Sequence, residues 1–307
     1  MFSVIFPGQG SQVVGMGSQL YSKYDLVKKI YQEADDVLNF SISKLILNGP
    51  DKDLNLTENT QPAIFLLSYS IFKLMIEHYG IDLNKAKYFA GHSVGEYSAI
   101  TCSGGISFND CLKVLQIRGR AMQSALKDDH GSMIAILGKQ IEEIDAFLKE
   151  YKNEFNCYIA NDNSNQQIVV SGLDKDIKKF AEVLKNKKIK NIKLPVSAPF
   201  HCKLMAPAKI YIYEALKKIK LNKLKIPIIS NVTANKITDS AMLLKLLTNQ
   251  VEKTVRWRES VKFMIENDVK NFIEIGPGKI LSNLIRRIDK NVKVSAINTD
   301  EDIKELI

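Results

Sequence analysis

Lys87-Tyr-Phe-Ala-Gly91-His-Ser-Val-Gly95-Glu-Tyr-Ser-Ala-Ile100 is the stretch that decides how this chain folds. An apolar run enters the tight segment between two glycines, and helix-forming residues leave it, so strand, turn and helix follow one another directly. Gly91-His-Ser-Val-Gly95 matches G-x-S-x-G, in which a serine sits on a sharp strand-to-helix turn and the glycines remove side chains that would clash there. With 16 glycines and 22 serines in 307 residues, chance gives about 0.06 such matches, so the strand and helix context has to carry part of the assignment. Working outward, the same order recurs at Ser3-Val-Ile-Phe-Pro-Gly8, where a helix is expected after the turn Gly8 to Gln12. It recurs again at Phe272-Ile-Glu-Ile-Gly-Pro-Gly278, followed by Lys279 to Ile285. Apolar strands alternating with helices imply an α/β protein with a mainly parallel sheet covered on both faces, its functional groups gathered at the carboxyl ends of the strands. Ile226–Asn231 and Val292–Ile297 are further expected strands.

Between residues 130 and 196 the pattern changes. It runs strand (Ser132–Leu137), helix (Gln140–Tyr151), strand (Cys157–Asn161), strand (Gln167–Ser171), helix (Asp174–Lys185), strand (Lys190–Val196). This β-α-β-β-α-β order is ferredoxin-like and reads as a small domain, 130–196, inserted into a larger one formed by 1–129 and 197–307. The longest apolar stretch, Ala63–Ile76, is interrupted by Ser68, Ser70 and Lys73 and is too short to span a bilayer, so a buried helix is expected. No leader segment is recognisable. Four cysteines form neither a dense framework nor a C-x-x-C pair, which fits a reducing cytoplasm. The charge of +9 comes from 37 lysines and 6 arginines spread along the chain. The basic runs lack the aromatic interleaving that stacks bases, so neither nucleic acid nor membrane is expected as a partner, and an acidic protein fits better.

A serine hydroxyl needs a base within hydrogen-bond reach, normally an imidazole. The chain has four histidines. His78 follows a helix, His130 lies in the charged loop Asp128-Asp-His-Gly131, and His92 adjoins Ser93 and should point away from it across the turn. His201, in Ser197-Ala-Pro-Phe-His201 at the return from the inserted segment, is the candidate base for the candidate nucleophile Ser93. A carboxylate to orient that histidine is missing: Asp162, Asp174 and Asp176 lie between the two in sequence but within the inserted domain. A backbone carbonyl can serve instead.

Five ordered motifs now stand together: Phe6-Pro-Gly-Gln-Gly-Ser-Gln12, Gly91-His-Ser-Val-Gly-Glu96, Gln116-Ile-Arg-Gly-Arg-Ala-Met122, Pro199-Phe-His201 and Ile275-Gly-Pro-Gly278. Over its full length the chain resembles the malonyl-CoA:acyl carrier protein transacylase family and the related acyltransferase domains of polyketide and fatty acid synthases. The resemblance implies an α/β-hydrolase-like core with an inserted ferredoxin-like subdomain. It implies a malonyl ester on Ser93 with His201 as general base, and an oxyanion hole made by the backbone N–H groups of Gln9 and Val94. By the same resemblance Arg118 pairs with the free malonyl carboxylate, and the main-chain carbonyl of Gln250 orients His201. Arg118 and Arg120 sit about 200° apart on one helix, so only one can face the site.

Val94 stands where bacterial members commonly have leucine, a change that a backbone donor tolerates. The stretch Val251-Glu-Lys-Thr-Val-Arg-Trp257 lacks a proline often found there, and Phe200 resembles malonyl-selective members. The expected substrates are malonyl-CoA and acyl carrier protein, with no cofactor and no metal, and a monomer is expected. The rival reading is a serine thioesterase or esterase of α/β-hydrolase type.

Overall fold

The computed structural model describes residues 1–126 and 130–306. The expected domain boundary between 129 and 130, with Asp128 and Asp129 of its charged loop, lies outside the described residues. In chain order the strands are β1 (Phe2–Phe6), β2 (Tyr88–Gly91), β3 (Gly131–Leu137), β4 (Cys157–Ser164), β5 (Gln167–Leu173), β6 (Asn191–Lys193), β7 (Ile228–Ile229), β8 (Lys236–Ile237), β9 (Asn271–Ile275) and β10 (Lys293–Ile297). They form a six-stranded sheet in the order β10-β9-β1-β2-β7-β8 and a four-stranded sheet in the order β4-β5-β3-β6.

The large sheet is parallel except for the β7–β8 pair at its edge. Its central strands are apolar because both faces are covered. Side chains alternate between the faces: Val4, Phe6 and Phe89 join the core that contains helix Thr57–Glu77, whereas Ile5, Tyr88 and Ala90 pack with Trp257, Val261 and Leu281 on the other side. Helix Thr57–Glu77 is buried along most of its length, as its near-continuous apolar sequence requires.

The second sheet is antiparallel throughout, and its strand order is that of a ferredoxin-like unit. One face, with Ile134, Ile136, Ile168 and Val170, packs on helices Ile141–Glu150 and Asp174–Asn186. The other, with Met133, Ala135 and Val169, joins the core of the larger unit. Alternation along β3 and β5 therefore turns one face of this unit toward the core of the larger one. At the junction Val255 donates to the Ala160 carbonyl at 2.9 Å and Asp162 donates to the Val255 carbonyl at 3.0 Å. Buried Asp162 also accepts from Arg258 Nε with both oxygens, each at 2.9 Å.

Three expectations need correction. The strand over Ile226–Asn231 contracts to Ile228–Ile229, because Pro227 has no N–H to give and the Asn231 side chain is engaged elsewhere. The strand over Lys190–Val196 contracts to Asn191–Lys193; Leu194 adds one more bond to Met133 before Pro195 ends the ladder. After Gly8–Gln12 no helix starts until Ser18. Gly10, Gly15 and Gly17 all have positive φ, at 100°, 86° and 73°, and this left-handed backbone keeps the chain in a loop.

Candidate active site

Parallel pairing of Phe6 with Gly91 fixes the carboxyl ends of β1 and β2 side by side, so Pro7-Gly8-Gln9 faces His92-Ser93. The turn itself is tight. A side chain on Gly91 would come within 2.0 Å of the Gly95 carbonyl carbon, and one on Gly95 within 2.1 Å of the Phe6 carbonyl oxygen. Both glycines are thus required by close backbone approach. Ser93 adopts φ 55°, ψ −108°, a conformation that costs a non-glycine residue about 1–3 kcal/mol and persists only where neighbours hold it. The holder is Asn231: its Oδ1 accepts from the Ser93 N–H at 2.7 Å, and its Nδ2 donates to the Gly91 carbonyl at 2.7 Å.

This bend aims Ser93 Oγ at His201 Nε2, 2.7 Å away. His201 Nδ1 lies 2.9 Å from the Gln250 carbonyl oxygen. A carbonyl can only accept, so Nδ1 carries the proton and Nε2 is free to receive one from the serine. Burial, and then the nearby Arg118 cation, push the His201 pKa down to about 3; the imidazole is neutral at pH 7. Asp162 is engaged by Arg258, and Asp174 by Lys178 and Lys193. The Gln250 carbonyl occupies the place that an orienting carboxylate would take.

Arg118 sits on helix Phe108–Gln123 and is only 1% exposed. Nη1 donates to Gln61 Oε1 at 2.7 Å, and Nη2 donates to Gln250 Oε1 at 2.8 Å and to Ser93 Oγ at 3.2 Å. Its guanidinium carbon lies 5.3 Å from the Tyr97 ring centre. Among the described residues its hydrogen-bond acceptors are two amide oxygens and a hydroxyl, with no carboxylate, and Nε has no partner. A buried cation without a carboxylate in direct contact is costly. Arg120, on the opposite side of the helix, pairs with Glu58 at the surface.

A cleft of about 410 Å³ opens over these groups. Gln9, Ser93 and His201 line it from the large unit, and Met133, Asn161 and Val196 from the inserted one. Val94 opens helix Val94–Cys102, where the first N–H groups have no intrahelical acceptor. Among the described residues neither the Val94 nor the Gln9 N–H has a backbone partner.

His92 turns its Nε2 to Asn163 Oδ1 at 2.9 Å, away from the serine. His78 closes helix Thr57–Glu77 and packs on Tyr24, and His130 is exposed. The four cysteines are free. No helix among the described residues is long and apolar enough to cross a membrane.

Among the residues of the site with no counterpart in the expectations above are Asn231 and Glu96. Asn231 was hidden in an apolar stretch that reads as a strand. Glu96, 1% exposed, had a signal, since it is a carboxylate one turn after the nucleophile on a helix otherwise buried. Burial pushes its pKa up to about 7.

The arrangement supports nucleophilic acyl transfer through a serine ester, and comparison with known proteins finds acyl transferases. The acyl transferase domain model matches residues 3–300. The malonyl CoA-acyl carrier protein transacylase of Bacillus subtilis (strain 168) is 38% identical over 302 residues, which cover 98% of this chain and 94% of that one. The crystal structure of an acyl-carrier-protein-S-malonyltransferase from Bartonella henselae superposes with a TM-score of 0.96 at 38% identity, covering 100% of this chain and 98% of that one. A malonyl-transacylase in complex with its type II PKS acyl-carrier protein superposes with a TM-score of 0.94 at 33% identity, covering 99% and 97%. With the serine elbow, the paired histidine and the inserted antiparallel unit in the same chain, this protein belongs to the malonyl CoA-acyl carrier protein transacylase family of acyl transferases.

Proposed function

We propose that the chain transfers the malonyl group of malonyl-CoA to the phosphopantetheine thiol of acyl carrier protein, through an ester on Ser93. The observation that carries this reading is Arg118: a buried guanidinium without a carboxylate partner, its Nη2 3.2 Å from Ser93 Oγ. An acyl group bound to Ser93 that ends in a carboxylate supplies an anion in direct contact, and a planar fork is the shape that takes both carboxylate oxygens.

In the first half-reaction His201 Nε2 accepts the Ser93 proton as Oγ attacks the thioester carbonyl. The Val94 and Gln9 N–H groups hold the oxyanion of the tetrahedral intermediate, and the positive end of helix Val94–Cys102 adds to that stabilisation. The imidazolium is steadied by the Gln250 carbonyl at 2.9 Å. The carbon–sulfur bond breaks, and the CoA thiolate leaves with the proton from His201. In the second half the carrier thiol gives its proton to His201 and attacks the ester; Ser93 Oγ recovers the proton as it leaves. Each step uses groups of this chain and requires no metal or cofactor.

Acyl carrier proteins are generally acidic, so the lysine-rich surface favours their approach. The free cysteines are in keeping with a cytoplasmic reaction. The test is incubation with labelled malonyl-CoA, with and without holo acyl carrier protein. Label should pass to the carrier, with slow release of free malonate in its absence. Malonate released at the same rate with or without the carrier, and no labelled carrier, would establish a hydrolase instead.

A further inference from the structure

The helix that follows the nucleophile carries a carboxylate that no step of the transfer uses. Glu96 Oε2 accepts from Gln250 Nε2 at 2.6 Å, and Oε1 accepts from the Asn231 N–H at 3.3 Å. Both oxygens therefore face fixed donors, and an amide in this position would satisfy only one of them. The cation that acts on Glu96 is Arg118, and the two are joined through the Gln250 side chain.

That side chain has a donor end and an acceptor end, and its surroundings specify which is which. Nε2 donates to Glu96 Oε2 and, at 3.0 Å, to the Ser93 carbonyl; Oε1 accepts from Arg118 Nη2 at 2.8 Å. Turning the amide over would set an NH₂ group against the guanidinium and a carbonyl oxygen against the carboxylate. Two like contacts would then be buried together, where unmade hydrogen bonds are most costly. Of the acceptors on the Nε2 side, Glu96 makes the shortest contact and is the one that can carry charge.

We propose that Glu96 is a positioning residue for the acyl carboxylate: it holds the Gln250 amide in the one orientation that presents Oε1 to Arg118 and keeps the Arg118 Nη2 edge beside Ser93. This rests on the malonyl reading above. Glu96 touches neither the reacting atoms nor the substrate, and its influence passes along Glu96, Gln250 and Arg118. A carboxylate that merely stabilised the helix would, when removed, slow every acyl group alike.

The test is the acylation half-reaction followed by rapid quench and intact mass, with malonyl-CoA and acetyl-CoA, on wild type and Glu96→Gln. The malonyl rate should fall about tenfold or more, the scale of one charge-assisted hydrogen bond, while the acetyl rate changes by less than about threefold. Where acetyl transfer is too slow to read, the rate of Ser93 modification by a neutral fluorophosphonate gives the same comparison. In an Arg118→Ala background Glu96→Gln should leave the malonyl-to-acetyl ratio where Arg118→Ala alone put it. Equal losses for both acyl groups, an unchanged ratio, or a further fall of the ratio in the Arg118→Ala background would overturn the assignment. If Glu96→Gln does not fold, Glu96→Asp carries the same comparison with the same outcomes, because it keeps the charge and withdraws the carboxylate from Gln250 Nε2. Failure of the malonyl reading itself is separate and shows in wild type, as no malonyl ester.

Discussion

Replacing Asn231 with alanine removes the clasp of the nucleophile turn without touching either member of the Ser93–His201 pair. The side chain satisfies two backbone groups, the part-buried Ser93 N–H and the buried Gly91 carbonyl, each at 2.7 Å, and Asn231 is itself only 1% exposed. Leaving a buried donor or acceptor without a partner costs about 1–3 kcal/mol. The pair should therefore destabilise the fold by about 2–6 kcal/mol, a large share of the 5–15 kcal/mol available to a protein of roughly this kind. Function should suffer as well. Ser93 at φ 55° and ψ −108° is held against its own preference, and without the clasp its Oγ drifts from His201 Nε2. A displacement of about 1 Å can cost about a hundredfold in rate. Urea unfolding should show a lower midpoint with an unchanged slope, and single-turnover acylation in the absence of urea should be slower by one to two orders of magnitude, about the cost of such a displacement. A variant with wild-type unfolding midpoint and wild-type acylation rate would refute the reasoning that Asn231 holds the turn.

Arg118→Ala should lower malonyl acylation about a hundredfold, the equivalent of about 3 kcal/mol of charge-assisted hydrogen bonding, with a smaller effect on acetyl; equal losses measured by intact mass would remove Arg118 from carboxylate recognition. The pH dependence of acylation separates two groups. His201, held down to about 3, stays neutral through the range from pH 5 to 8 and sets no limb there. Glu96, pushed up to about 7, is ionised above that pH and protonated below it, and the protonated oxygen no longer accepts from Gln250 Nε2. Arg118, from helix Phe108–Gln123, and Tyr97, from its own helix, are the ionisable groups coupled to it; Gln250 and Asn231, its hydrogen-bond partners, do not titrate. Malonyl acylation should thus fall as pH drops through about 7 in wild type and lose this limb in Glu96→Gln, and a profile that is the same in both proteins would contradict the assignment.

The nucleophile turn was legible in sequence because it is local: two glycines, a serine and the flanking apolar run all lie within a few residues. The inserted unit was legible for a related reason, since each of its strands and helices carries its own periodicity; element ends moved, most at β4, which runs to Ser164 instead of Asn161, and at β6, which stops at Lys193 instead of Val196. His201 was reached by elimination among four histidines. Gln9, Val94, Arg118 and Gln250 came from resemblance; Gln250 acts on His201 through a main-chain atom, which no residue type encodes. Asn231 was not legible. Its partners Gly91 and Ser93 lie about 140 residues away, and the run Ile226-Pro-Ile-Ile carries a strand signal straight past it. Glu96 was read as part of the motif but given no task, because its meaning depends on burial between Gln250 and Asn231, which a polar residue in a helix does not reveal.

In the proposed reaction Ser93 carries the acyl group between the two thiols. Its most direct test is the intact mass of the protein after brief exposure to malonyl-CoA, followed by addition of holo acyl carrier protein. Wild type should gain one malonyl group, mapped to Ser93 by peptide digestion and absent in Ser93→Ala, that disappears as the carrier gains the same mass. A carrier that becomes malonylated by Ser93→Ala at the wild-type rate, or an adduct on any other residue, would contradict it.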